Sequence, residues 1–331
     1  MLRLLQVGVR GMGNHWVQVG KASPDFETVA YVDIVPEHLE LLRRDHGVPP
    51  ERCFLDLGEA LAATRPDAVL NVTPPPAHAP IALQAFDAGC HVLTEKPLAD
   101  TPERCLAMVE AGRQAGRVLM VAQNYRYSHV IQALKARLIA GDLGSVEQVS
   151  VQFFRGPRFQ GFRAEMEQPL VVDMAIHHFD LMRYLLEAEP VAVYAQSHNP
   201  SWSWYAGDAS ASAIFDFRRP DGTRIHVNYT GSWCAKGPDT PWNGNWRFVC
   251  SEGTVRLEND RIFVERQPGD APEEVAVPVL ERVGQDYLLH AFAESIRSGR
   301  PPETSGEDNL KSVAMVFKAV ESIREGRRIT F

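Results

Sequence analysis

The chain has 331 residues, of which 45% are hydrophobic and 23% are charged. At about 150 residues per domain, this length predicts two globular domains, and the composition excludes collagen-like, coiled-coil and disordered chains. The net charge of −8 argues against a nucleic-acid-binding protein, because phosphate backbones attract clustered positive charge. No stretch approaches the roughly 20 apolar residues of a membrane-spanning helix and no signal-peptide pattern opens the chain, so we expect a cytoplasmic protein without a membrane partner.

The first 122 residues alternate short apolar runs with amphipathic segments. Continuous apolar strands separated by helices are typical of a parallel sheet that is covered on both faces. This part is therefore predicted to be a doubly wound α/β domain over residues 1–122, whose ligands lie at the carboxyl ends of the strands. The predicted strands are residues 2–9, 26–32, 68–72, 91–94 and 118–122, and the predicted helices are residues 15–22, 36–46, 57–63, 81–88 and 102–115.

The pattern changes after residue 123, where several segments alternate polar and apolar residues. Such alternation is typical of antiparallel strands with one exposed face. Residues 123–331 are therefore predicted to form an α+β domain with a largely antiparallel, open-faced sheet. The predicted strands are residues 146–154, 191–196, 209–217, 224–229 and 247–249, and the predicted helices are residues 130–140, 171–186, 287–298 and 306–325.

A glycine-rich loop follows the first strand and opens the first helix. Alone it indicates only a tight turn, but Asp33 ends the second strand 20 residues past Gly13, as in dinucleotide-binding units. There the backbone N–H groups approach a pyrophosphate, and the aspartate accepts hydrogen bonds from ribose hydroxyls. Arg10 stands where a second glycine is usual. The candidate cofactor residues are Gly8, Arg10, Gly11, Met12, Gly13 and Asp33.

Two further turns follow central strands at the edge where a cofactor would pass. One carries Thr73, Pro74 and His78, and the other carries Glu95 and Lys96. The alternatives are a proline-stiffened turn before a helix for the first and a solvated loop lysine for the second. An ammonium beside a nicotinamide can polarise a hydroxyl or carbonyl group, so Lys96 is a candidate catalytic residue.

The segment of residues 173–180 carries a possible acid–base pair. On a helix, Asp173 and His177 face the same direction, and a carboxylate beside an imidazole raises its basicity. The alternatives are an N-cap for Asp173 and a salt bridge from Asp180 to Arg183. Adjacent helical histidines cannot both face one ion, and the five cysteines have no zinc-like spacing, so no metal site is expected.

These motifs, in this order, resemble the Gfo/Idh/MocA oxidoreductases. The resemblance rests on the glycine loop, residues 73–78, Glu95-Lys96-Pro97, residues 173–180 and the tail at residues 292–302. It implies a Rossmann domain, a second domain whose open sheet forms dimers or tetramers, and NAD(P)-dependent chemistry at a carbinol carbon of a sugar or cyclitol. It also implies catalytic roles for Lys96, Asp173 and His177.

The resemblance extends to the segment between the two predicted domains and to part of the second. Asn124 is carried over as a cofactor residue and Arg126 as a substrate residue. The family's glycines before the aspartate are replaced by residues 168–172 in this chain. Arg155 and Trp233 are further substrate candidates, because arginine binds charged or hydroxylated groups and indole rings stack on sugar faces. The alternative for Arg155 is a solvated loop, and the alternative for Trp233 is packing in the core or at a subunit interface.

The leading hypothesis is therefore a sugar or cyclitol dehydrogenase that prefers NAD to NADP, because Asp33 repels a 2′-phosphate. A redox-neutral NAD-dependent glycosidase or lyase and a nucleotide-responsive regulator are the alternatives. We also expect a homodimer or homotetramer built sheet to sheet, with Ile214, Phe215 and Phe217 forming an exposed apolar patch.

Overall fold

The computed structural model describes residues 1–331 and divides them into two compact units, described separately here. The first comprises residues 1–124 and 282–310, and the second comprises residues 125–281 and 311–331. Residues 282–310, assigned from sequence to the second domain, thus cluster with the first. In that segment His290 and Arg297 lie 2.7 Å and 2.8 Å from the carboxylate oxygens of Asp25, and Phe292 stacks on Phe26.

The first unit contains a six-stranded parallel sheet in the order β3-β2-β1-β4-β5-β6. The strands are nearly continuous apolar runs because both faces are covered by helices. Only the two-residue strand β3 was not expected from the sequence. The strands are β1 (Leu2–Val7), β2 (Phe26–Val32), β3 (Cys53–Phe54), β4 (Ala68–Asn71), β5 (His91–Thr94) and β6 (Leu119–Val121).

Local signals set the ends of the helices in this unit. Asp56 and Thr101 accept hydrogen bonds from the backbone N–H groups of Glu59 and Arg104 at the starts of their helices. Gly116 ends one helix in the left-handed conformation. The helices are α1 (Met12–Ala22), α2 (Pro36–His46), α3 (Leu57–Thr64), α4 (His78–Asp87), α5 (Pro102–Ala115) and, from the later segment, α8 (Gly284–Ser298).

The second unit is built on a nine-stranded sheet in the order β14-β13-β12-β11-β7-β10-β9-β8-β15. The β7–β10 pair is parallel and every other pair is antiparallel, which confirms the predicted α+β class. The strands are β7 (Val146–Phe154), β8 (Glu189–His198), β9 (Ser210–Arg218), β10 (Arg224–Ser232), β11 (Asn245–Cys250), β12 (Gly253–Glu258), β13 (Arg261–Glu265), β14 (Glu273–Val275) and β15 (Ile329–Thr330).

Helices α6 (His129–Ile139) and α7 (Ala175–Leu186) belong to the second unit, and the division between the units falls within α9 (Gly306–Glu325). The helix predicted over residues 171–186 is in fact two segments, because Leu170–Met174 is π-helical and α7 begins after it. No helix of the chain is both long and apolar enough to cross a bilayer.

One face of the nine-stranded sheet is covered and the other is open, but the predicted apolar patch on the open face is wrong. Phe215 and Phe217 are buried on the covered face, where Phe179 of α7 packs edge-on against Phe215 at 4.8 Å. Ile214 points the other way and is 50% exposed. Its neighbours across the open face are polar: Tyr194 on β8 and Asn228 on β10.

Candidate functional site

The glycine loop is a crowded turn that only glycine can occupy at two positions. Gly8 has φ +87°, and a Cβ there would lie 2.5 Å from the Val72 carbonyl oxygen. A Cβ on Gly13 would lie 2.4 Å from the carbonyl oxygen of Gly8. The Gln6 amide donates hydrogen bonds to the carbonyls of Gly8 and Gly13, at 3.0 Å and 2.8 Å, and so ties the two ends of the loop together.

The loop leads into α1, and the N-terminus of this helix is suited to binding an anion. Gly11, the N-cap residue, provides no side chain to accept the first N–H groups of the helix. A pyrophosphate satisfies such groups and complements the positive end of the helix dipole. Arg10 and Met12 are exposed beside this turn, so both are accessible to a cofactor. These residues fit the binding of a dinucleotide.

The Asp33 carboxylate is held at the end of β2 by three contacts. It accepts the N–H groups of Val9 at 3.2 Å and of Val35 at 3.1 Å, and it lies 3.0 Å from Nδ1 of His38. The contact to Val9 joins Asp33 to the glycine loop itself. Ile34, the next residue, is 86% exposed and offers no charge to a 2′-phosphate. This arrangement fits an unphosphorylated ribose.

The turn after β4 is held together by His78, which is fully buried. Its Nδ1 and Nε2 each lie 2.8 Å from a backbone carbonyl oxygen, that of Pro97 and that of Thr73. Burial lowers the pKa of His78, and the two carbonyls partly counteract it. The ring therefore connects the turn at Thr73 and Pro74 to the turn at Lys96, and the structure argues against direct cofactor contact by His78.

The turn after β5 carries Lys96, which is half-buried. Glu95, predicted to contact the cofactor, makes two hydrogen bonds within the chain. One carboxylate oxygen accepts the indole N–H of Trp16 at 2.8 Å, and the other accepts the backbone N–H of Lys96 at 3.1 Å. Glu95 therefore anchors the backbone of Lys96 to α1. The peptide bond between Lys96 and Pro97 is cis.

In the second unit Asp173 lies in the π-helical turn before α7, so the α-helical spacing assumed for Asp173 and His177 does not hold. One Asp173 carboxylate oxygen accepts a hydrogen bond from Nε of Arg163 at 2.9 Å. The Arg163 guanidinium also lies over the rings of Phe159 and Phe162. π-Helical turns occur frequently at functional sites, where they redirect a side chain.

His177 is 5% exposed, and its imidazole stacks face to face on Tyr125. The ring centroids are 4.0 Å apart and the ring planes differ by 11°. Both residues belong to the second unit. Nothing in the sequence motif pointed to Tyr125, because 52 residues separate it from its partner.

The adjacent His178 is a structural residue. It is fully buried, and burial lowers its pKa to about 4, so the ring is neutral at ordinary pH. Nε2 lies 3.0 Å from the Trp242 carbonyl oxygen and Nδ1 lies 3.3 Å from the Tyr229 hydroxyl. A carbonyl can only accept, so Nε2 carries the proton. His178 thus attaches the loop bearing Trp242 to α7.

Arg126, carried over as a substrate residue, is 4% exposed and bound to Asp180. Its Nε and Nη2 donate to the two Asp180 carboxylate oxygens at 2.7 Å and 2.6 Å. The salt bridge considered between Asp180 and Arg183 is wrong, because Arg183 pairs with Glu189 instead. The guanidinium of Arg126 therefore has a structural role, and the placement argues against substrate binding by it. Asn124 begins the short 3₁₀ turn that contains Arg126.

The two other substrate candidates are also engaged within the second unit. Arg155 donates to the Thr240 carbonyl at 2.6 Å, pairs with Asp239 at 3.1 Å and lies over the Trp242 ring at 4.2 Å. Trp233 is 2% exposed and packs against Phe153, Phe159 and Trp242, which favours core packing. The tryptophans that expose their rings are Trp202 and Trp242, at 50% and 42%.

Sequence reasoning missed the residues that hold the candidate groups in place. Gln6 had a visible signal, because a lone amide inside an apolar strand requires buried hydrogen-bond partners. No such signal marks Trp16, His38 or Tyr125, because each contacts a residue on another secondary-structure element. The hydrogen bond from Arg163 to Asp173 likewise depends on the conformation of the segment that carries Arg163, which the local sequence pattern does not indicate.

Family models match both parts of the chain. The model for the oxidoreductase family with an NAD-binding Rossmann fold matches residues 2–123. The model for the GFO/IDH/MocA C-terminal domain matches residues 131–256. Together they cover most of the chain, in agreement with the resemblance drawn from its motifs.

Three individual proteins are similar to this chain over most or nearly all of its length. An uncharacterised protein, y4oX of Sinorhizobium fredii, is 31% identical over 99% of this chain and 95% of its own. The D-apiose dehydrogenase of Paraburkholderia graminis is 29% identical over 92% of this chain and 82% of its own. An oxidoreductase from Agrobacterium radiobacter, crystallised with NAD⁺, L-tartaric acid and magnesium, superimposes with a TM-score of 0.89 at 24% identity, covering 99% of this chain and 98% of that one.

Proposed function

Because the chain belongs to the GFO/IDH/MocA family of NAD-binding oxidoreductases, we propose that it oxidises a hydroxyl-bearing carbon of a sugar, a cyclitol or a derivative of one. NAD is the cofactor, and the reaction class is dehydrogenation of a CH–OH group. The similarity to a D-apiose dehydrogenase supports a sugar-like substrate. In the reductive direction the same groups act in reverse.

The cofactor is assigned to the first unit. The glycine loop and the N-terminus of α1 bind the pyrophosphate, with Gly8, Gly11 and Gly13 allowing the close approach. Asp33 binds the ribose hydroxyls, and the turn at Thr73 and Pro74 lines the same strand edge. When bound, NAD supplies the hydride acceptor.

The observation that carries the catalytic assignment is the buried imidazole of His177 in the first turn of α7, with Asp173 in the π-helical turn that precedes this helix. In the oxidative direction His177 takes the proton of the substrate hydroxyl. Asp173 stabilises the imidazolium that results, since a nearby carboxylate favours the charged ring. The C–H bond breaks with its electron pair transferred as hydride, and a carbonyl remains.

Lys96 is assigned to the reacting oxygen. Its ammonium donates a hydrogen bond that stabilises the developing alkoxide, an effect that enzymes commonly use to lower the barrier. The contact of Glu95 with the Lys96 backbone supports this role, because a group that stabilises a transition state must be preorganised.

A substrate screen tests the proposal. Purified protein is incubated with NAD⁺ and a panel containing D-apiose, myo-inositol, common aldoses, their acids and their glycosides. NADH formation is followed by absorbance, and the sugar products are analysed by mass spectrometry. We expect NADH to accumulate with at least one class. If a glycoside is cleaved or an elimination product forms while NADH stays at zero, the redox-neutral alternative replaces this proposal.

A further inference from the structure

The stacking of Tyr125 on His177 gives the imidazole a defined plane. Rotation of a histidine ring about its Cβ–Cγ bond has broad energy minima, so the torsion alone does not fix the ring. A parallel ring at 4.0 Å covers one face of the imidazole and blocks that rotation. Tyr125 also meets His178 edge-on, at 6.5 Å and 75°, so its own ring is supported from a second side.

The turn that carries Tyr125 is attached to α7 at a second point. Arg126, the next residue, makes its paired hydrogen bonds to Asp180, which lies three residues after His177 on the helix. Residues three apart on a helix share a face, so two successive residues of the turn contact the same face of α7. Asp180 also accepts the Ser312 hydroxyl at 2.6 Å, which anchors the ion pair itself.

The phenol hydroxyl of Tyr125 does not account for this arrangement. No hydrogen bond within the chain involves it, whereas the ring makes both aromatic contacts. Burial raises the pKa of the phenol well above its usual value, so the group is neutral throughout the range in which a histidine titrates. The contribution of Tyr125 is therefore that of an aromatic ring.

We propose that Tyr125 is a positioning residue for the reaction, which holds the imidazole of His177 in the orientation that accepts the substrate proton. The proposal rests on the proposed function, in which His177 is the proton acceptor. Tyr125 itself takes no proton and contacts no reacting atom. Geometry of this kind matters because a misplacement of about 1 Å at a catalytic group can cost roughly 10²-fold in rate.

Substitutions that keep or remove the ring test this role. Tyr125→Phe keeps the stack, and we expect it to retain the wild-type kcat with the best substrate of the screen. Tyr125→Leu removes the stack, and we expect kcat to fall by roughly 10- to 100-fold while KM for NAD⁺ is unchanged. Tyr125→Met, whose flexible side chain refills a cavity, carries the same expectation if the leucine variant does not fold.

A spectroscopic measurement follows the stack without a substrate. In protein with ¹³C-labelled histidine, we expect the stacked tyrosine ring to shift the ring protons of His177 upfield. The signal is assigned by its loss in His177→Ala. We expect the upfield shift to persist in Tyr125→Phe and to vanish in Tyr125→Leu or Tyr125→Met.

The outcomes separate this inference from the proposed function. Wild-type kcat in a folded leucine or methionine variant overturns the positioning role, as does a phenylalanine variant that is as slow as those two. Both results leave the proposed function intact if His177→Ala is inactive. Full activity of His177→Ala refutes the proton-acceptor role, and the inference about Tyr125 is then refuted with it.

Discussion

The indole N–H of Trp16 donates a hydrogen bond to the Glu95 carboxylate at 2.8 Å, between two residues that lie 79 positions apart. Trp16 belongs to the helix that follows the glycine loop, and Glu95 precedes Lys96. The same carboxylate accepts the Lys96 backbone N–H. The Glu95 carboxylate therefore couples the helix assigned to the pyrophosphate with the lysine assigned to the reacting oxygen.

Removal of the Trp16 indole N–H donor should lower both the free energy of unfolding and kcat. Trp16→Phe keeps a buried ring but leaves the carboxylate without one donor, and we expect a loss of about 1.5–3 kcal/mol in the free energy of unfolding. Because Lys96 loses its anchor, kcat should fall as well. Glu95→Gln keeps a carbonyl acceptor for the indole, so its free energy of unfolding should fall by less than that of Trp16→Phe. Urea denaturation that gives equal stability for Trp16→Phe and wild type would contradict this.

The two groups assigned to proton transfer and alkoxide stabilisation should each be essential. We expect Lys96→Ala and His177→Ala to lower kcat by roughly 10²–10⁴-fold, the usual effect of losing such groups. NAD⁺ binding, measured by calorimetry, should persist in His177→Ala. Lys318→Ala, which removes a lysine paired with Glu321 on α9, is the matched control. Near-wild-type turnover in either test variant removes that residue from the mechanism.

The preference for NAD⁺ over NADP⁺ should depend on Asp33. A 2′-phosphate would meet its carboxylate, and the neighbouring Ile34 and Val35 supply no positive charge. We expect kcat/KM to be higher with NAD⁺ than with NADP⁺, and Asp33→Asn to narrow the difference by removing the repulsion. Arg10, exposed on the loop, is the residue that could reverse this result by binding the phosphate. Equal efficiency with both cofactors in the wild type would contradict the prediction.

Self-association through the open face of the nine-stranded sheet remains a prediction, but that face is mostly polar and not apolar. Ile214 is aligned with Tyr194 and Asn228 in a row across β8, β9 and β10 on the open face. A mostly polar row with a central aliphatic side chain suits a two-fold contact between copies of the chain. We expect light scattering to give a dimer or tetramer and Ile214→Lys to shift it towards 36.9 kDa. A wild-type mass of 36.9 kDa at micromolar concentration would contradict it.

Local pattern was sufficient for most elements of the fold. Helices α2, α5 and α9 and strands β2, β5 and β7 begin and end where apolar periodicity and capping residues place them. Period-two alternation also implies that Phe215 and Phe217 face opposite to Ile214. An exposed patch containing all three residues is incompatible with that alternation, which is why the predicted apolar patch is wrong.

The site was less predictable because its contacts join distant residues. A motif can mark Lys96 or His177, but the partners of Arg126 and Tyr125 lie more than 50 positions along the chain. The π-helical turn at Leu170–Met174 has no periodic signal that distinguishes it from the start of α7. Long-range packing therefore decides which marked residues are accessible and which are structural.

The fate of the hydrogen on the substrate carbon tests the proposed dehydrogenation. The best substrate of the screen is prepared with deuterium at the oxidised carbon and incubated with NAD⁺, and both products are analysed by mass spectrometry. Hydride transfer to NAD⁺ predicts one deuterated NADH for each carbonyl product released. Deuterium retained in a cleaved or eliminated product, with no labelled NADH in solution, would contradict it.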